Sequence, residues 1–437
     1  MRVLAAGCLV RRAPPAAAPR RMSSATVAVE ERPRRARLLS SGAVVVIRLL
    51  SIASGLAFVK GYTGALSISE VGRFFYLSTL SYALNALVFV PVDFYMQARL
   101  AKEVSIPVHG TVALVWKVLA LALVACLALS APLLWFDKLQ WLDLPALYAV
   151  AALLYLCTTL RNLLNNRGAT IFVSSMLLLE SVGRLGAFLA MVLLMGASAR
   201  VLMVSSALAL FVEFLIVLVR ARRTLPLAHG TEPLDTAATM VRVAAPLAGS
   251  AVCNALQLQT YRVAYPMADV GVSSGIYGVV SNVGAAAMAA CASIYQQLQQ
   301  PQLYQSQGAS IGRYVRRAAL MSAGVFVVLV VFAPFFVRLL TKDQYVAYSS
   351  IIGFGVVQEA CNLVMGAYAV LLSLRQRTDV LLKLNLLAAS LSVAGCLGVL
   401  AWSPGNPYLI GLPIAGSQLL LTLATVAYAA RRQLSHP

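Results

Sequence analysis

The sequence predicts an all-α polytopic membrane protein, with about twelve transmembrane helices in two six-helix bundles. Three observations carry that reading. Apolar residues make up 60% of the 437-residue chain and charged ones only 11%, against roughly 45–50% and 25% in soluble domains. The apolar residues gather in runs of about 20, the length that spans a bilayer as a helix, without the alternation of a β-barrel. One short pattern is written twice, once in each half of the chain. Lipid offers the backbone no hydrogen bonds, so runs of this kind must satisfy their own N–H and C=O groups as helices.

The first element is a basic tail, 1–38. The stretch "RRAPPAAAPRRMSSATVAVEERPRRAR" is rich in Arg, Ala and Pro and has no apolar period, which predicts disorder. Its acid-free, Arg-rich opening is compatible with a mitochondrial presequence, and Met22 is an alternative start. "LAAGC" at Leu4–Cys8 follows too short an apolar stretch to be a lipoprotein signal. The first half, 39–222, holds expected spans at 41–60, 72–96, 112–136, 144–165, 170–195 and 201–220. A basic, Pro-containing linker, 223–239, leads to the second half, 240–432, with spans at 241–262, 275–298, 317–340, 349–374, 379–402 and 408–430. A short tail, 433–437, closes the chain.

The 35 lysines and arginines follow the loops. The N-tail, the even-numbered loops and the C-tail hold 24 of them and the odd-numbered loops seven, while Arg48, Lys117, Arg184 and Lys383 lie within or near the ends of helices. The positive-inside rule then places both termini in the cytoplasm. The same distribution accounts for the net charge of +20 without nucleic acid, because the cations border apolar runs. Seven scattered cysteines, all but Cys8 in apolar runs, and three histidines in loops or the tail form no CxxC and no cluster. No disulfide framework, metal site or cofactor is expected.

The repeated pattern is an apolar run ending in a cation, a short Gly/Ser-rich loop, then a Gly-x-aromatic opening to the next run. Lys60 is followed by Gly72-Arg73-Phe74, and Arg262 by Gly275-Ile276-Tyr277. Both halves start on the same side, so the repeat is parallel about an axis along the membrane normal. Internal repeats mark secondary transporters, which bind at the repeat interface and rock.

At these residues the chain resembles the polysaccharide-exporter branch (Wzx-type O-antigen and lipid-linked oligosaccharide flippases) of the multidrug/oligosaccharidyl-lipid/polysaccharide flippase superfamily. In "YRVAYPMADVGVSSGIYGVV" the matching residues are Arg262, Gly275 and Tyr277, and in "ISEVGRFFYL" they are Gly72 and Phe74. Tyr261 stands where the family commonly has an acid, which puts an Asp-dependent pairing of Arg262 in doubt. The resemblance covers roughly residues 38–432 through short motifs. It implies a MATE-like pseudo-twofold pair of bundles, no enzymatic activity, and movement of a polyprenyl-pyrophosphate-linked oligosaccharide from the cytoplasmic to the outer leaflet. The implied partners are that lipid-linked glycan, membrane lipids and glycan polymerase or chain-length machinery. The implied location is a bacterial inner membrane, in keeping with an Arg-, Ala-, Leu- and Val-rich composition.

Charges in the apolar runs are the candidate site residues, since each costs roughly 2.5–3.5 kcal/mol to insert and usually faces a cavity or a partner. Arg48 shares a helix face with Ser51 and Gly55, which fits cavity lining as well as snorkelling to the surface. Lys60 and Arg262 fit either phosphate binding in a cleft or snorkelling. Glu180 and Arg184, at i and i+4, read as an internal ion pair, with Arg184 a cavity cation if Glu180 turns elsewhere. Glu359, with Gly355, Asn362 and Gly366 on its face, is a candidate for ion coupling. Glu213 is a weaker candidate and a partner for a cation on another helix. Lys383 reads as a snorkelling end. Arginine forks suit phosphate, and Tyr62, Tyr265, Tyr277 and Asn282 are candidate sugar contacts.

Other function classes fit less well. A cation-coupled multidrug or metabolite antiporter needs membrane carboxylates, and spans one and seven hold none. A major-facilitator transporter would need its signature in "QARLAKEVSIPVHG", which does not fit. A glycan polymerase or ligase generally needs a sizeable outer loop, whereas the outer loops here are short and their acids, Glu70, Asp137, Asp143, Asp269 and Asp343, form no motif.

Overall fold

The computed structural model describes residues 34–93, 96, 106–225, 227–228, 237–306, 308–375 and 377–434. The tail 1–33, most of the linker 223–239, loop residues Arg99 and Lys102, and 435–437 lie outside the described residues, and so do the expectations attached to them. Contacts divide the chain into residues 1–42, of which only the opening of one helix is described, and residues 43–437, which form one compact unit.

Twelve long helices are described. Six precede the linker: α1 (Arg34–Ala65), α2 (Ile68–Leu84), α3 (Val108–Trp135), α4 (Leu144–Asn166), α5 (Thr170–Met195) and α6 (Ala199–Thr224). Six follow it: α7 (Ala237–Met267), α8 (Gly271–Gln305), α9 (Ile311–Val331), α10 (Ile352–Leu374), α11 (Thr378–Trp402) and α12 (Pro407–Leu434). A π-turn, Asn85–Phe89, carries α2 on to Asp93. A two-residue parallel pairing joins β1 (Ile106–Pro107) to β2 (Leu227–Ala228).

Among the described residues eleven of these elements are long and apolar enough to cross a membrane, which makes this a multi-pass membrane protein. The remaining long helix, α7, spans 31 residues. It carries Gln257, Gln259, Thr260, Tyr261 and Arg262 in its interior and packs against α11, α2 and α8. There Gln257 is fully buried, donating from Nε2 to Ser417 Oγ at 2.9 Å. Expected span nine breaks in two. Pro334 lacks an N–H and crowds the preceding turn, so α9 stops at Val331 and a short helix, Ala333–Leu340, follows. A 3₁₀ stretch, Asp343–Ile351, then leads into α10.

The two halves repeat their internal pairing. α6 packs on α4 and α5, and α12 packs on α10 and α11. The halves meet where α2 crosses α8 and α7, and at this crossing the two copies of the repeated motif touch. A Cβ on Gly72 would lie 2.6 Å from Gly271 O, and a Cβ on Gly275 would lie 3.0 Å from Ile68 O and 3.2 Å from Gly72 Cα. Gly72 and Gly275 stand 203 residues apart, as do Ile68 and Gly271, so the contact is reciprocal about a pseudo-twofold axis. Only a missing side chain allows backbones this close, which is how small residues join helices in lipid. The buried core around it draws Tyr62, Leu66, Val71 and Phe75 from the first half and Tyr261, Tyr265, Ile276 and Tyr277 from the second.

Gly72→Ala should therefore destabilise the protein by about 1–3 kcal/mol, the usual range for overpacking. Gly64→Ala should not, since nothing lies within 4 Å of a Cβ there. Thermal unfolding of the detergent-solubilised variants checks this.

Candidate functional site

Between α1 on one side and α8 and α10 on the other lies a cleft of about 510 Å³, within the size range of small-molecule sites. Arg48, Ser51 and Gly55 share the α1 face that lines it, as their helical spacing predicts. The α8 wall is stepped with alanines, Ala285, Ala286, Ala289 and Ala290, between Asn282 and Ser293. Glu359 projects from α10. The α8 and α10 backbones approach closely because Gly284 and Gly355 lack side chains. A Cβ on Gly355 would collide with Ser281 O, and one on Gly284 with Ile352 O.

Arg48 and Glu359 enter this cleft from opposite halves. Arg48 Nε is buried without a hydrogen-bond partner. Glu359 Oε1 accepts from its own helix, from Asn362 Nδ2 at 3.3 Å. Among the described residues neither makes an ion pair. A buried polar group left unmatched costs about 1–3 kcal/mol, a cost that a ligand can offset at Arg48 Nε, while Glu359 faces the same cleft with a carboxylate that no cation holds among the described residues.

The other expected site residues are placed elsewhere. Arg184 pairs with Glu180 at 2.6 Å on α5, and Glu180 also accepts from Arg161 of α4 at 2.7 Å. Arg161 reaches Glu213 of α6 as well, at 3.0 Å. Arg184 and Glu213 are thus members of one buried network inside the first half rather than lining groups of the cleft. Arg161, expected among the loop cations, is its hub. Lys60 and Arg262 do not end their helices either: α1 runs on to Ala65 and α7 to Met267. Lys60 Nζ donates to Arg338 O at 3.0 Å and to Thr341 O, at the C-terminus of the short helix, where carbonyls and dipole favour a cation. Arg262 donates to Tyr261 Oη at 2.8 Å and Asn282 Oδ1 at 3.2 Å, with its guanidinium 4.6 Å from the Phe75 ring centre. The Tyr261 hydroxyl therefore accepts from Arg262 where the resembling family has an acid. Tyr62, Tyr265 and Tyr277 are buried in the core and do not line the cleft, so of the four expected sugar contacts only Asn282 reaches it.

At the opposite end of the interface contacts join the two halves beside a cavity of about 350 Å³ lined by Arg73, Lys138, Gln140 and Asp269. Lys138, after α3, bonds Asp269, before α8, at 2.7 Å, and Lys60 ties α1 to the end of the short helix. Asp269 has φ 60°, a left-handed conformation in which Asp is enriched. Its side chain is 83% exposed, and exposed pairs contribute about 0–1 kcal/mol. The pair therefore holds the two loops together only weakly.

Neither a protein-family model nor a curated protein matches the chain. Solved structures do. One is a multidrug resistance MATE family transporter of the MOP superfamily in an outward-facing conformation, with TM-score 0.63, 11% identity, and 90% of this chain and 95% of that one covered. Another is the lipid II flippase MurJ in an inward closed conformation, with TM-score 0.59, 10% identity, and coverages of 90% and 87%. A third is a Vibrio cholerae MATE transporter, with TM-score 0.56, 14% identity, and coverages of 91% and 96%. The fold is that of the MATE transporters. Within this MATE fold the cleft lies between the two halves, where repeat transporters place their substrate.

Sequence reasoning missed Arg161 and the Lys138–Asp269 latch. The signal for the first was available: Arg161 falls inside the expected span 144–165, and the first-half spans hold the carboxylates Glu180 and Glu213 that a buried cation needs. Asp93 is itself held on α4, accepting from Thr159 Oγ1 at 2.8 Å and Asn162 Nδ2 at 3.4 Å. The latch joins two short loops and leaves no sequence pattern.

Removing one member of a buried ion network while leaving the rest costs about 3–5 kcal/mol, whereas neutralising the whole set is often tolerated. Arg161→Met should lower the thermal unfolding midpoint sharply, and adding Glu180→Gln and Glu213→Gln together with Arg184→Met, which neutralises all four members, should recover most of the loss.

Proposed function

We propose that this chain is a flippase that carries a lipid-linked oligosaccharide from the cytoplasmic to the outer leaflet by alternating access. The observation that supports this best is an arginine without a carboxylate partner, facing a cleft between two halves that are latched at the other end. The excess of cations in the even-numbered loops makes the latched end the outer one and the cleft the cytoplasmic one. The polyprenyl tail stays in the bilayer, and the phosphate or pyrophosphate of the carrier meets the Arg48 fork. The sugars lie along the alanine-stepped wall of α8, with Asn282 and Ser293 for their hydroxyls. Residues 39–222 and 240–432 rock as two bodies about the α2–α8 crossing. The setting is a bacterial inner membrane, and polymerase or chain-length machinery consumes the product. One structural neighbour is named as a lipid II flippase, so lipid-linked cargo is within reach of this fold.

Glu359 favours a second reading, a cation-coupled multidrug or metabolite antiporter, because a cleft carboxylate attracts a cationic substrate. The two readings separate in one experiment. A membrane-impermeant glycan label reports the leaflet of lipid-linked oligosaccharide in cells with and without the protein. The flippase reading expects the intermediate to be trapped on the cytoplasmic face when the protein is lost. It further expects Arg48→Ala to restore outer labelling at least about tenfold less well than the native chain, as loss of a charge-assisted hydrogen bond implies. Unchanged outer labelling, together with loss of drug efflux, would replace it with the antiporter reading.

A further inference from the structure

We infer that the head group taken by this cleft is a zwitterion, with one phosphate-type anion set against Arg48 and one ammonium set against Glu359. The inference rests on the transport reading above and narrows its substrate class.

It follows from which charges the fold leaves free. Four cations are expected at the site from sequence, but three have partners elsewhere. Arg184 belongs to the network with Glu180, Arg161 and Glu213, Lys60 to the carbonyls of Arg338 and Thr341, and Arg262 to Tyr261, Asn282 and the Phe75 ring. One guanidinium and one carboxylate remain in the lining, on opposite walls and from opposite halves. The cleft is formally neutral but strongly dipolar.

A purely anionic head group gains Arg48 and meets repulsion from Glu359, and a purely cationic one meets the reverse. These like-charge terms discriminate between ligands. A head group carrying both signs satisfies both walls. It also supplies a partner to Arg48 Nε, which has none, and a donor to Glu359, whose protein partner Asn362 reaches only Oε1. The alanines between them leave room for a ring or a short chain. Two sources carry this chemistry: a free amino sugar on a lipid-phosphate carrier, and an amino-alcohol phospholipid.

The test uses the full chain in nanodiscs and four probes in two pairs: a short polyprenyl-phosphate hexosamine with a free amine beside its N-acetylated twin, and a phosphoethanolamine lipid beside its phosphoglycerol counterpart. Titrations read the affinity ratio within each pair. The amine-bearing member should bind about tenfold or more tightly in at least one pair. Glu359→Gln should bring that ratio close to one, and Arg48→Gln should weaken the amine-bearing probe while keeping the ratio above one. Preference in the hexosamine pair assigns the amino-sugar source. Preference only in the phosphoethanolamine pair assigns the phospholipid source, upholding the zwitterion while removing the glycan. Binding without an amine preference, or a preference that survives Glu359→Gln, overturns the zwitterion and leaves transport standing. Binding of no probe overturns it too, and makes Glu359 the partner of Arg48 when the halves close. Failure of the transport reading shows separately, as unchanged leaflet labelling in cells.

Discussion

A charge in hydrocarbon must be paired, capped by dipoles or placed against a cavity, and this constraint organises the molecule. In the first half it draws α4, α5 and α6 together, because Arg161 can be buried only with Glu180 and Glu213 beside it. In the second half it gives Arg262 a tyrosine, an asparagine and an aromatic face instead of an acid. At the latched end it sets Lys60 on helix-terminal carbonyls. What the fold does not pair is then informative. Arg48 is held in the cleft with its Nε unmatched, at a cost that a ligand can offset, and Glu359 lines the same cleft.

The geometry of the halves depends on a second, steric condition. Gly72 and Gly275 are the closest elements of the repeat, and the repeated motif exists where the two copies meet. The close backbone approach at Gly72 and Gly275 is enclosed by a core that draws Tyr62, Phe75, Tyr261 and Tyr277 from both halves. On one side of it the core runs continuously through both halves. On the other lies the cleft, with Arg48 about 18 Å along α1 from Lys60 at 1.5 Å per residue. Opening one end and closing the other then requires weak contacts at the ends, and the exposed Lys138–Asp269 pair is of that kind.

Most of the fold was legible in the sequence because the signal is the length and apolarity of the runs. Span nine departed where Pro334 breaks it, and spans one and seven ran past their cations because helices tolerate Gly61 and Gly64, as well as Pro266 near an end. The i, i+4 spacing revealed Glu180–Arg184, a contact within one helix. Arg161 was hidden because its partners lie on two other helices, and spacing along a chain carries no record of a neighbour. The partners of Lys60 were hidden for a related reason: they are backbone carbonyls, which every residue has. The buried tyrosines looked like sugar contacts because tyrosine serves a core and an interface equally well.

The central claim is that the two halves exchange an opening at one end for an opening at the other. Spin labels at Gln140 and Val272, beside the Lys138–Asp269 latch and on opposite halves, report this directly by distance distributions in proteoliposomes. The account predicts two populations, a short one matching the latched state and a longer one, with lipid-linked substrate shifting the balance between them. A single short distance, unchanged by substrate and by Asp269→Asn, would contradict it.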